Sequence, residues 1–103
     1  MEILKPYRQR INDLDDQIVD LLVARTEVIR EVAHLKFKEE IPAILQDRVD
    51  EVRERNAARA ESKGLDPELV RELYARLIDY SCNLEIEMME EMSPDIESKI
   101  VGK

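Results

Sequence analysis

Four side chains in this 103-residue chain have types and spacings that could do chemistry: Arg25, Lys36, Ser81 and Glu85. Arg25 interrupts a heptad stripe that otherwise reads Leu4, Tyr7, Ile11, Leu14, Ile18, Leu21, Val28, Val32, Leu35. Lys36 follows eleven residues later, almost three full turns at about 100° per residue, so both cations line one face with Val32 between them. Ser81 and Glu85 are i and i+4 in a second apolar stripe that includes Tyr74, Ile78, Met88 and Met92. Two cations facing an acid and a hydroxyl across a dry gap can hold a small dianion and stabilise charge growing on an oxygen. No nucleophile–base pair accompanies them, and His34 is the only histidine, so covalent catalysis and a histidine metal site have little to build from.

Each residue also has a plainer reading. An arginine on a core seam can snorkel, or can fix register at a cost in stability. Lys36 near a helix end can be a solvated charge complementing the C-terminal dipole. Glu85 can pair with Arg25 in a purely structural ion pair, and Ser81 alone means little. The other arginines, among them Arg8 and Arg48, are individually ordinary surface charges. The combination of several donors on apolar faces of an acidic protein favours anion binding.

The elements that position these groups are predicted to be three helices. Unbroken three- and four-residue spacing predicts one long helix from residue 4 to about 38, with Pro6 in its first turn. Pro42 disfavours helix at Ile41 and breaks the run. A charged helix begins near Gln46 or Asp47, has a thin apolar stripe at Val49, Val52 and Ala60, and ends at Gly64. Asp66 as N-cap and Pro67 at the first position open a third helix to about Glu91. Residues 1–92 form one helical domain, and 93–103 read as a frayed tail. At about 1.5 Å per residue the first helix spans roughly 50 Å, longer than a compact chain of this size is wide. An intertwined homodimer would cover its seam.

Composition narrows the function classes. Only 4% aromatic residues and two glycines against 39% charged fit an all-α fold. The net charge of −8 argues against a nucleic-acid or anionic-membrane surface. No apolar run resembles a signal peptide or a membrane span. The single cysteine, Cys82, fits a reducing cytoplasm and is more often a small buried hydrophobe than a nucleophile.

The segments YRQRINDLDDQIVDLLVART, EVAHLK, QDRV and LYARLIDYSCNLE together resemble the all-helical chorismate mutases and their close relatives, the isochorismate-pyruvate lyases. The resemblance covers roughly residues 4 to 90 and includes Arg8, Arg25, Lys36 and Arg48 at family spacing. It implies an intertwined all-α homodimer with two equivalent sites, no cofactor, no metal, and a place in the shikimate pathway of aromatic amino acid biosynthesis. The chain reads as free-standing, with no regulatory domain appended. By resemblance, Arg25 grips one substrate carboxylate and Arg8 of the partner subunit grips the other. Lys36 resembles the lysine that bonds the ether oxygen, and Arg48 and Ser81 match further substrate-contacting positions. Leu45 stands where well-known bacterial mutases carry an Asp that helps bind the ring hydroxyl. Glu85 stands where they carry a Gln that donates to the ether oxygen; some fungal mutases carry Glu, which can donate only when protonated.

Three functions follow, in order. The first is chorismate mutase, a pericyclic rearrangement of chorismate to prephenate that needs carboxylate clamping by Arg25 and Arg8 and donors at the ether oxygen from Lys36 and Glu85. The second is isochorismate-pyruvate lyase, giving salicylate and pyruvate, which the loop around Leu45 supports. The third is a non-catalytic helical dimerisation module, disfavoured because a bare scaffold prefers an apolar residue at position 25.

Overall fold

The three predicted helices form at close to their predicted bounds. A computed structural model describes residues 1–93; of the expected tail, residues 94–103 lie outside the described residues. Helix α1 runs Lys5–Lys38, α2 Gln46–Ser62 and α3 Pro67–Glu91, with a single 3-10 turn, Glu2–Leu4, ahead of α1. Among the described residues there is no strand, and no helix is long and apolar enough to cross a membrane.

The helix ends follow from backbone chemistry. Gly64 sits at φ +80°, and the Leu65 and Gly64 N–H groups donate to the Ala60 and Glu61 carbonyls at 2.9 and 3.1 Å. That is the paired bond of a Schellman stop, and glycine supplies the left-handed residue. The Asp66 side chain accepts from the Glu68 N–H at 2.9 Å and so caps α3. The end of α1 falls where expected, but for a different reason. It stops at Lys38, before Pro42 is reached, because Glu40 adopts φ +57°. Ile41 N–H donates to Lys36 O at 2.8 Å and Glu40 N–H to Phe37 O at 3.4 Å, the same two-bond stop built on a glutamate. The turn geometry ends the helix, and Pro42 only prevents its resumption.

Helix α3 is the centre of the packing. Both α1 and α2 pack on it and not on one another. The buried apolar core is small: Ala33, Ala57, Ala60, Val70 and Ile78. Arg71 on α3 donates to Glu54 on α2 at 3.1 Å and closes the outer side of that pair.

The heptad seam of α1 is not the face buried within the chain. Leu21, Val28 and Leu35 remain 69%, 55% and 55% exposed, and every residue from Met1 to Leu21 is exposed. The face turned toward α3 carries Leu22, Arg25, Thr26, Ile29, Ala33 and Lys36 instead. The two stripes meet at Arg25 and Val32, so α1 has one apolar face for its own chain and a second left open. The molecule is accordingly elongated, 67 × 29 × 19 Å. Its radius of gyration is 18.6 Å, against about 13 Å for a compact chain of this length.

Candidate active site

The helical spacing that put Arg25 and Lys36 on one face brings both to α3. Arg25 Nη1 donates to Ser81 Oγ at 2.8 Å, and its guanidinium carbon lies 5.9 Å from the Tyr74 ring centroid. Ser81 is 6% exposed, and with its oxygen accepting from Arg25 its own O–H remains available to a bound anion.

Three turns along, Lys36 Nζ donates to the Ala43 carbonyl at 2.7 Å and lies 2.8 Å from Glu85 Oε1. The two side chains are 15% and 6% exposed. The second contact is close enough for strong Coulomb attraction, yet its angles fall outside hydrogen-bond geometry. Glu85 Oε1 is therefore an ion-paired but otherwise orphaned acceptor among the described residues. Glu85 pairs with Lys36 rather than with Arg25, the partner a purely structural reading would give it.

These groups line a single cavity of about 310 Å³ between the helices. Arg25, Lys36, Ser81 and Glu85 all face it, as does Arg48 from the first turn of α2. Arg48 stands at the rim, its side chain 63% exposed and paired with Glu51. The rest of the lining is largely aliphatic, and the volume falls in the small-molecule range. Three cations and one acid in an apolar pocket suit a small dianion: the guanidinium offers bidentate carboxylate binding, and the ammonium a point charge for an oxygen gaining electrons.

Arg8 is absent from this cavity. It lies on the exposed part of α1, seventeen residues before Arg25, which is about 25 Å along the axis. Five of the six sequence-predicted site residues thus converge within one chain, and Arg8 does not.

Sequence reasoning missed other contributors. The Ala43 carbonyl that holds Lys36 is backbone and carries no side-chain signal. Val49 and Val52 were visible only as a thin packing stripe of α2, and they form a cavity wall. Cys82 also lines the cavity. Burial first, then the Glu85 charge, push its thiol above the usual range, against the opposing pull of Lys36.

Comparisons with known proteins identify the family. The chorismate mutase type II family model matches residues 7–86. A curated relative, the 4-amino-4-deoxychorismate mutase of Streptomyces pristinaespiralis, is 27% identical over 84 residues. The match covers 82% of this chain and 65% of the relative, so the chain spans less than two thirds of that relative's length. No solved structure matches at the same level of significance. The family match takes in α1, α2 and most of α3, including every residue placed in the cavity above: the chain belongs to the chorismate mutase type II family.

Proposed function

We propose that the protein is a chorismate mutase that converts chorismate to prephenate. The observation that carries this reading is the convergence of Arg25, Lys36, Arg48, Ser81 and Glu85 on one small cavity. In the rearrangement a carbon–carbon bond forms between the enolpyruvyl arm and the ring while the ether C–O bond breaks. All atoms stay in one molecule, so no external base, nucleophile or oxidant is required. The site has two tasks. Arg25, backed by Ser81, holds one carboxylate, and Arg8 from a second copy of the chain reaches the other. That clamp folds the arm over the ring and removes orientational freedom before reaction. Lys36 donates to the ether oxygen as it gains charge, and Glu85 adds a second donor there only when it carries a proton. Arg48 adds a cation at the mouth, and the free thiol of Cys82 suits the reducing cytoplasm in which we place the enzyme.

The homodimer belongs to the same proposal. Residues 1–21 expose an apolar stripe and Arg8 together, and a second copy is the simplest cover for both.

The test is to offer the purified chain chorismate and isochorismate separately and identify the products. Prephenate from chorismate is expected. Salicylate and pyruvate from isochorismate, with chorismate untouched, would instead make it the lyase. Failure to turn over either compound or to bind a bicyclic transition-state analogue would leave only a dimerisation module.

A further inference from the structure

Three cations line the cavity, and two of them have an acid beside them: Lys36 lies against Glu85, and Arg48 against Glu51. Arg25 differs. Among the described residues no carboxylate lies within ion-pair distance of it. What the structure sets against this half-buried guanidinium is neutral. The Ser81 hydroxyl accepts from Nη1 at 2.8 Å, and the guanidinium carbon lies over the Tyr74 ring, 5.9 Å from its centroid. Neutral partners suit an incoming anion. A carboxylate partner would occupy the guanidinium donors and repel a second carboxylate. A hydroxyl takes one of several N–H donors. A ring face takes none, because it meets the cation through its quadrupole and not through a hydrogen bond. Arg25 is thus held at two points while its charge and most of its donors stay available to a ligand.

The fold supplies both points from one element. Tyr74, Ile78 and Ser81 stand at i, i+4 and i+7 on one stripe of α3, and Arg25 comes to that stripe from α1. Tyr74 is half-buried and is not part of the cavity lining, so it meets a ligand only through Arg25. Arg10 over Tyr7, at the same 5.9 Å, is a different case. Those two are three residues apart on the exposed part of α1, where helix geometry alone makes them neighbours. The Arg25–Tyr74 pair crosses between two helices and reaches a group that lines the cavity.

We propose that Tyr74 is a positioning residue for the rearrangement: its ring face holds the Arg25 guanidinium in the orientation that receives a substrate carboxylate. The inference rests on the mutase reading above, in which Arg25 grips one carboxylate. A single hydrogen bond leaves a long side chain free to turn about it, and the ring is the second contact that limits the turning. A planar fork matches a carboxylate in few orientations, so an arginine fixed in advance loses less freedom when the ligand arrives.

The experiment measures kcat/KM for chorismate with the full chain, for Tyr74→Leu and Tyr74→Phe, and for Tyr74→Leu in an Arg25→Ala background. Tyr74→Leu keeps an apolar side chain without the ring face and is expected to lower kcat/KM by about fivefold or more. Tyr74→Phe keeps the ring and is expected to bring kcat/KM back to within about twofold of wild type. In the Arg25→Ala background the same Tyr74→Leu change is expected to cost less than about twofold, because the group it positions is gone. A ring that only packs α1 against α3 would cost the same in both backgrounds. Equal losses therefore overturn the inference. So does a Tyr74→Leu loss below about twofold, or a Tyr74→Phe protein no better than Tyr74→Leu. If Tyr74→Leu does not fold, Tyr74→Met is read the same way; if neither folds, the ring is structural and the inference fails. A wild type that does not turn over chorismate overturns the mutase reading and this inference with it. That outcome is distinct, because failure of the positioning role alone leaves wild-type turnover intact.

Discussion

Replacing Lys36 with methionine separates the structural role of the Lys36–Glu85 pair from its catalytic role. Methionine keeps much of the stem volume and removes the ammonium. The deletion strands Glu85, whose side chain is 6% exposed, without its cation at 2.8 Å. Breaking a buried ion pair by removing one partner costs about 3–5 kcal/mol. The paired change Lys36→Met with Glu85→Leu removes both charges and is expected to recover most of the loss. Catalysis should not recover. Loss of a preorganised donor to the ether oxygen is expected to lower kcat by roughly 10²–10³-fold in both variants. Thermal unfolding at pH 7 and chorismate turnover would be measured on all three proteins. Near-normal turnover in Lys36→Met refutes the ether-oxygen assignment. A single variant as stable as wild type at pH 7 refutes the buried pair.

Four further outcomes are expected. Arg8→Ala and Arg25→Ala should each lose at least about 10²-fold in kcat/KM, and dissociating and remixing them should restore roughly a quarter of the sites; no recovery on mixing would place both arginines in one chain's site or neither. Glu85→Gln donates without needing a proton, so its turnover should lose the preference for acidic pH that a required protonated carboxyl gives the wild type, read from pH–rate profiles; superimposable profiles would contradict a protonated Glu85. Burial and Glu85 raise the Cys82 thiol, so alkylation by iodoacetamide at pH 8 should be slower than for an unfolded thiol, and slower again with a bicyclic analogue bound, because Cys82 lines the cavity. Gly64→Ala meets no atom within 4 Å, so its expected loss of about 1 kcal/mol in chemical denaturation would come from the left-handed backbone alone.

Much of the molecule was legible in its sequence because helices write their geometry into it. The three- and four-residue spacing gave α1, Asp66 and Gly64 marked helix ends, and the eleven-residue interval set Arg25 and Lys36 on one face opposite Ser81 and Glu85. The illegible parts have physical reasons. Periodicity fixes where a side chain sits around a helix and not what lies across from it. The exposed heptad stripe and the buried face through Leu22, Ile29 and Ala33 are neighbours on α1, and only packing tells them apart. The Ala43 carbonyl has no side-chain signature. Glu40 in a left-handed conformation contradicts residue preference, so Pro42 drew attention away from the actual stop. Leu45 at a cap position likewise runs against local preference.

If a second copy covers the exposed half of α1, protein concentration becomes a catalytic variable. From Lys5 to Leu21 the helix has no buried residue of its own. Most helical stability in proteins comes from packing of an apolar face, so this stretch would gain order from anything that covers its stripe. If that cover is a second copy bringing Arg8, one equilibrium governs folding of the arm, assembly and completion of the carboxylate clamp. Dilution would then lower turnover per chain without altering any residue in the pocket.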